Sequence, residues 1–150
     1  MRRKLKLNTL DDVIAECSRL LENGYHPTGN WSLAQICAHL RLTMEANMQG
    51  YPRWMTAVGL PLRPLLRRFA LPRLLAGNPI QGLKTAGMFI PADNLDDATE
   101  LDKLEECALK FIESTEPLHA HPGFGMMSRE QFTRFHAAHA EHHLSFLSPK

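Results

Sequence analysis

The chain has 150 residues, 44% apolar and 22% charged, with a net charge of +1. That is the composition of an ordinary globular protein, long enough for one domain (residues 1–150) with a real core and too short to argue for two. Cys17, Cys37 and Cys107 are odd in number and far apart, which excludes a disulfide framework and a cysteine zinc site. The basic start, Arg2-Arg3-Lys4-Leu5-Lys6, is not followed by the apolar run of a signal peptide, and no stretch reaches the roughly 18 apolar residues of a membrane span. A cytoplasmic protein without a membrane partner is expected.

In chain order, Asn8 or Thr9 caps a first helix that carries Val13, Cys17, Leu20 and Leu21 at helical spacing and stops at Asn23-Gly24. His26 to Asn30 reads as a loop. Ser32-Leu33-Ala34-Gln35 is a capping box, with Trp31 and Ile36 as its hydrophobic staple. It opens a second helix whose apolar arc is Leu33, Ile36, Cys37, Leu40, Met44 and Met48. His39 lies beside that arc, where a residue lining the open end of a bundle sits.

Residues 51–92 are rich in proline and glycine, which rules out one long helix. A short helix is expected between Pro61 and Leu75, packed by its leucines. Glu45 to Asp93 encloses no acid but includes Arg53, Arg63, Arg67, Arg68, Arg73 and Lys84, whereas nine acids follow between Asp93 and Glu116. Two oppositely charged surfaces on one fold are expected. No nucleic-acid-binding motif accompanies the arginines, so no nucleic-acid partner is predicted.

Asn94 to Glu116 reads as a long amphipathic helix, with Leu95, Leu101, Leu104, Ala108, Phe111 and Ile112 on its buried side. A turn-rich loop with His119 and His121 follows. A second capping box, Ser128-Arg129-Glu130-Gln131, opens the last helix. No alternating strand pattern is visible, so the class is all-α.

That last helix holds His136, His139, His142 and His143 within eight residues. At about 100° per residue, His139 and His143 stand on adjacent turns of the face that also carries Phe132 and Phe146. Two imidazoles so placed can hold two positions of a transition-metal site. Read alone, an H-x-x-x-H pair is equally a helix with satisfied or solvated histidines. His136 and His142 flank the pair as candidate proton carriers. Glu141 points outward by helical phase and reads as solvated. Glu45 is a candidate outer carboxylate.

Three parts then stand together: Trp31-Ser32-Leu33-Ala34-Gln35-Ile36-Cys37-Ala38-His39-Leu40 on one helix, His121-Pro122-Gly123-Phe124-Gly125 in a loop, and His139-Ala140-Glu141-His142-His143-Leu144 on the last. This combination resembles the DinB-like, or YfiT-like, metalloenzyme superfamily, in a branch known as a domain of unknown function. The resemblance implies a four-helix bundle with a long crossover, often dimeric, and one divalent metal held by His39, His139 and His143. Zinc, nickel, iron and manganese all suit imidazole; no organic cofactor is predicted, and no residue is assigned as catalytic. It also implies a metal-dependent hydrolase or a thiol transferase acting on a small-molecule or thiol substrate. The superfamily often has Gln three residues after the last ligand, where this chain has Phe146. The alternative is a non-catalytic bundle that binds a metal or a small molecule and acts as a dimer; a fourth protein ligand, from His136, His121 or Glu45, would favour it, because structural zinc sites close with four.

Overall fold

The computed structural model describes residues 3–79 and 84–150. Helix α1 (Leu10–Asn23) starts where the Thr9 hydroxyl accepts the Asp12 N–H and the Asp12 carboxylate accepts the Thr9 N–H, a complete capping box. Strand β1 (Tyr25–Pro27) follows, then α2 (Leu33–Gln49). All three orphan N–H groups in the first turn of α2 find partners: Leu33 donates to the Tyr25 hydroxyl, Ala34 to Asp97 Oδ1 and Gln35 to Ser32 Oγ.

The crossover departs from expectation. It is helical without interruption from Arg53 to Leu75, changing its winding along the way. α3 (Arg53–Gly59) passes into a 3-10 turn (Leu60–Leu62), α4 (Arg63–Leu65), a π turn (Leu66–Ala70) and α5 (Leu71–Leu75). Pro61, Pro64 and Pro72 each stand in the first turn of a new segment, where a missing N–H costs least. The prolines therefore shift the hydrogen-bond register without ending the helix. The leucines pack it in part: Leu71 is buried in the core and Leu66, Leu74 and Leu75 are partly buried, with Gly59 and Ala70 also buried, whereas Leu60, Leu62 and Leu65 are exposed.

α6 (Asp97–Glu113) is capped by Asp96, and α7 (Arg129–Leu144) by the Ser128 and Gln131 capping box. The predicted buried side of α6 holds for Leu101, Leu104, Ala108 and Phe111, but Ile112 is exposed. After α7 the chain forms β2 (Leu147–Pro149), antiparallel to β1 with Pro27 opposite Leu147. The two strands are a correction to the sequence reading: at three residues each they are too short to alternate visibly.

The fold is thus mostly helical with a two-stranded sheet. α2 lies along α6, α1 contacts α6 and α7, α2 contacts α7, and α5 docks on α7. Between them lies a cluster including Cys17, Leu20, Leu33, Ile36, Leu104, Phe111, Phe132 and Leu144, all fully or nearly fully buried. The three cysteines are free and buried, as small apolar side chains. Among the described residues no helix is long and apolar enough to cross a membrane.

Candidate metal centre

Two helices and two tethers build the site. α2 carries His39 on its second turn; α7 carries His139 and His143 one turn apart. The β1–β2 pair, together with Thr28 donating from its N–H (2.7 Å) and hydroxyl (2.9 Å) to the Phe146 carbonyl, ties the end of α7 to the loop that leads into α2. Trp31 closes that loop. Its indole stacks on His143 (centroids 5.3 Å, 19°) and leans on His39 (5.0 Å, 51°). The sequence offered Trp31 only as a staple; its contact with both imidazoles depends on the sheet and was not legible. Phe146 packs against Gly29, whose missing Cβ would stand 3.2 Å from the Phe146 Cβ, so this side chain secures the tether.

The three imidazoles converge. His139 Nε2 stands 3.2 Å from His39 Nε2 and 3.1 Å from His143 Nε2, and one nitrogen from each ring falls within 4.8 Å of the others. Nitrogens bound at about 2.1 Å to one tetrahedral ion stand about 3.4 Å apart. His39 Nδ1 lies 2.7 Å from the Phe89 carbonyl, which can only accept, so the proton sits on Nδ1 and the Nε2 lone pair faces the other two rings. That is the outer hydrogen bond that orients a ligand histidine. His139 Nδ1 is buried and has no hydrogen-bond partner among the described residues. One N–H at the triangle's centre cannot serve three facing nitrogens, whereas a cation can accept a lone pair from each. The donor set therefore fits a divalent metal, and these three residues could hold one.

Electrostatics point the same way. Burial pushes the His39 pKa down, partly offset by the Phe89 carbonyl, and burial with the neighbouring His143 and His39 rings holds His139 well below the ordinary imidazole range. Both rings stay neutral, the form that binds metal.

The remaining candidates are occupied elsewhere. His136 is buried and contacts Asn47 Oδ1 at 3.0 Å; since Asn47 Nδ2 donates to the His119 carbonyl, Oδ1 accepts from His136 Nε2–H. Burial pushes its pKa down to about 3. His121 Nδ1 accepts the Gly123 and Phe124 N–H groups at 3.1 Å each, and burial with nearby Arg63 pushes its pKa down to about 4. Neither is placed as a proton carrier at neutral pH. Glu45 pairs with Arg41 at 3.0 Å, beside Glu100, and lies outside the cleft. His142 is half-buried, with its ring 5.0 Å from that of His143. Glu141 corrects its outward assignment: it is buried, and its Oε2 accepts the Leu7 N–H at 3.0 Å, because the N-terminal segment crosses α7 on that side. His39, read as lying beside the apolar arc, is buried where the Gly87–Phe89 turn covers it.

The triad lines a cleft of about 430 Å³, walled by apolar residues including Met55, Leu66, Leu74 and Phe124, with Tyr51 and Lys84 adding polar groups. Surface grooves of about 570 Å³ near Tyr25 and about 620 Å³ near His119 hold none of the three histidines. Two arginines fix the far wall: Arg63 donates to the Pro122 and His121 carbonyls, Arg67 to those of Phe124 and Met126. Gly59 completes the fit, since a Cβ there would stand 2.3 Å from the Pro122 oxygen.

A family model described as Protein of unknown function (DUF1569) matches residues 1–150. The chain belongs to that family. No curated protein and no solved structure matches it. For the family, the chain supplies a concrete chemical feature: a three-histidine cluster on two capped helices at the floor of an apolar cleft.

Proposed function

We propose that this DUF1569 protein is a single-domain, DinB-like four-helix bundle with a divalent metal centre held by His39, His139 and His143, acting as a metal-dependent hydrolase or thiol transferase on a small molecule. The observation that carries the reading is the convergence of the three Nε2 atoms beside a hydrogen bond that orients the His39 ring. When bound, a divalent ion on three neutral imidazoles supplies Lewis acidity at an open position. The chain's own residues do the rest. Phe89 and Trp31 orient the imidazoles, and the apolar walls exclude water from a bound substrate. His142 lines the cleft beside His143, and we assign it the proton-carrying role. The engagement of His136, His121 and Glu45 elsewhere supports an open site over a closed structural one, and with it the enzymatic reading over a purely structural metal. By the same resemblance we propose a homodimer in solution.

Metal analysis of the purified chain, followed by thiol-dependent transfer and hydrolysis assays on the metal-loaded protein, tests this. One ion per chain, lost in His139→Ala, is expected. No bound metal after reconstitution with zinc, nickel, iron or manganese would sink it.

A further inference from the structure

The α3–α5 run has a second face. Trp54, Val58, Leu62, Leu65 and Phe69 recur every three or four residues along the run. They are between 48% and 62% exposed. Leu60 adds another exposed apolar side chain on the same run.

Charge sorts along this segment too. Arg63 and Arg67 turn inward and donate to loop carbonyls. Arg53, Arg68 and Arg73 are exposed, and among the described residues none of them is in an ion pair. No acid lies between Glu45 and Asp93 to balance them. The surface is apolar and cationic at once.

A second copy of the chain fits it poorly. Two-fold docking of the face on itself would set these arginines against their own copies with no carboxylate on the segment to offset them. An anionic bilayer answers both features: the aromatic and aliphatic side chains enter the headgroup–acyl boundary and the guanidiniums meet lipid phosphates. We propose that the Arg53–Leu75 run is a peripheral docking surface for an anionic membrane, lying in the interface and not crossing it. The same run contributes Met55, Leu66 and Leu74 to the cleft, so docking sets the cleft wall against the bilayer surface. This assignment is independent of the metal.

Co-sedimentation of the full chain with vesicles of phosphatidylcholine alone, and of phosphatidylcholine mixed with phosphatidylglycerol, tests it. Binding to the mixed vesicles is expected, falling several-fold as salt is raised. The double variant Leu65→Glu/Phe69→Glu changes only exposed positions, so the fold survives and circular dichroism checks it; its partitioning should drop by about tenfold or more. Arg68→Glu/Arg73→Glu should remove the dependence on phosphatidylglycerol. No sedimentation with either vesicle, binding indifferent to phosphatidylglycerol, or equal binding by wild type and both double variants would overturn the proposal. So would light scattering that shows Leu65→Glu/Phe69→Glu splitting a dimer while wild type ignores vesicles, since the face would then belong to a second copy.

Discussion

His139 sits at the apex of the triangle, close to both partner nitrogens, so its loss should matter most. His139→Ala leaves two imidazoles and should lower metal affinity by about tenfold or more; His142→Ala, outside the triangle, should keep the stoichiometry. Metal content after dialysis against a weak chelator distinguishes them. Acid acts on the same chemistry and on stability. His121 and His136 have folded pKa values pushed down to about 4 and about 3, while in an unfolded chain each titrates near its model value of 6.5. A depressed folded pKa means the unfolded chain takes up protons that the fold refuses. Stability is therefore complete above about pH 6.5 and is lost as pH falls from there towards about 4 and then 3. Melting curves of the chelated protein should show this decline with no metal involved. His136→Gln, which can still donate to Asn47, should make it shallower; an unchanged slope would contradict the assignment.

Caps and close approaches decide the site at the level of elements. α2 begins under three separate acceptors, so Asp97→Ala, which removes the Ala34 and Tyr25 contacts together, should cost more than the roughly 1 kcal/mol of an ordinary cap. For a chain of this size each kcal/mol lowers Tm by about 2–4 °C. The crossover is held by its fit to the 121–126 loop. Gly59→Ala must push Pro122 away, costing about 1–3 kcal/mol and loosening the cleft wall. An Ala variant that melts with the wild type would show that the wall yields freely.

For the whole molecule, metal that binds the folded chain alone adds stability by mass action, about 2.7 kcal/mol at a hundredfold excess over Kd. Chelation at neutral pH should then lower Tm by about 5–10 °C, and this increment should vanish in acid, where imidazoles prefer protons. A chelator that shifts neither Tm nor metal content would return the histidines to an ordinary packed cluster.

Local chemistry determined much of this protein. Thr9, Ser32 and Ser128 start their helices by hydrogen bonds spanning three residues, and the spacing of His139 and His143 follows from one helical turn; such features need no tertiary partner. The family resemblance added His39 as the third residue of the set. Only the tertiary structure decided what happens across long separations. It brought His39 within 3.2 Å of His139, set Trp31 on His143 through a sheet too short to read, and turned Glu141 inward beneath the Leu7 N–H. It also showed that the prolines of the crossover mark changes of winding, and that its leucines divide between the core and the surface. Periodicity tells which residues share a face; which face is buried depends on what arrives from elsewhere in the chain, and no local pattern carries that information.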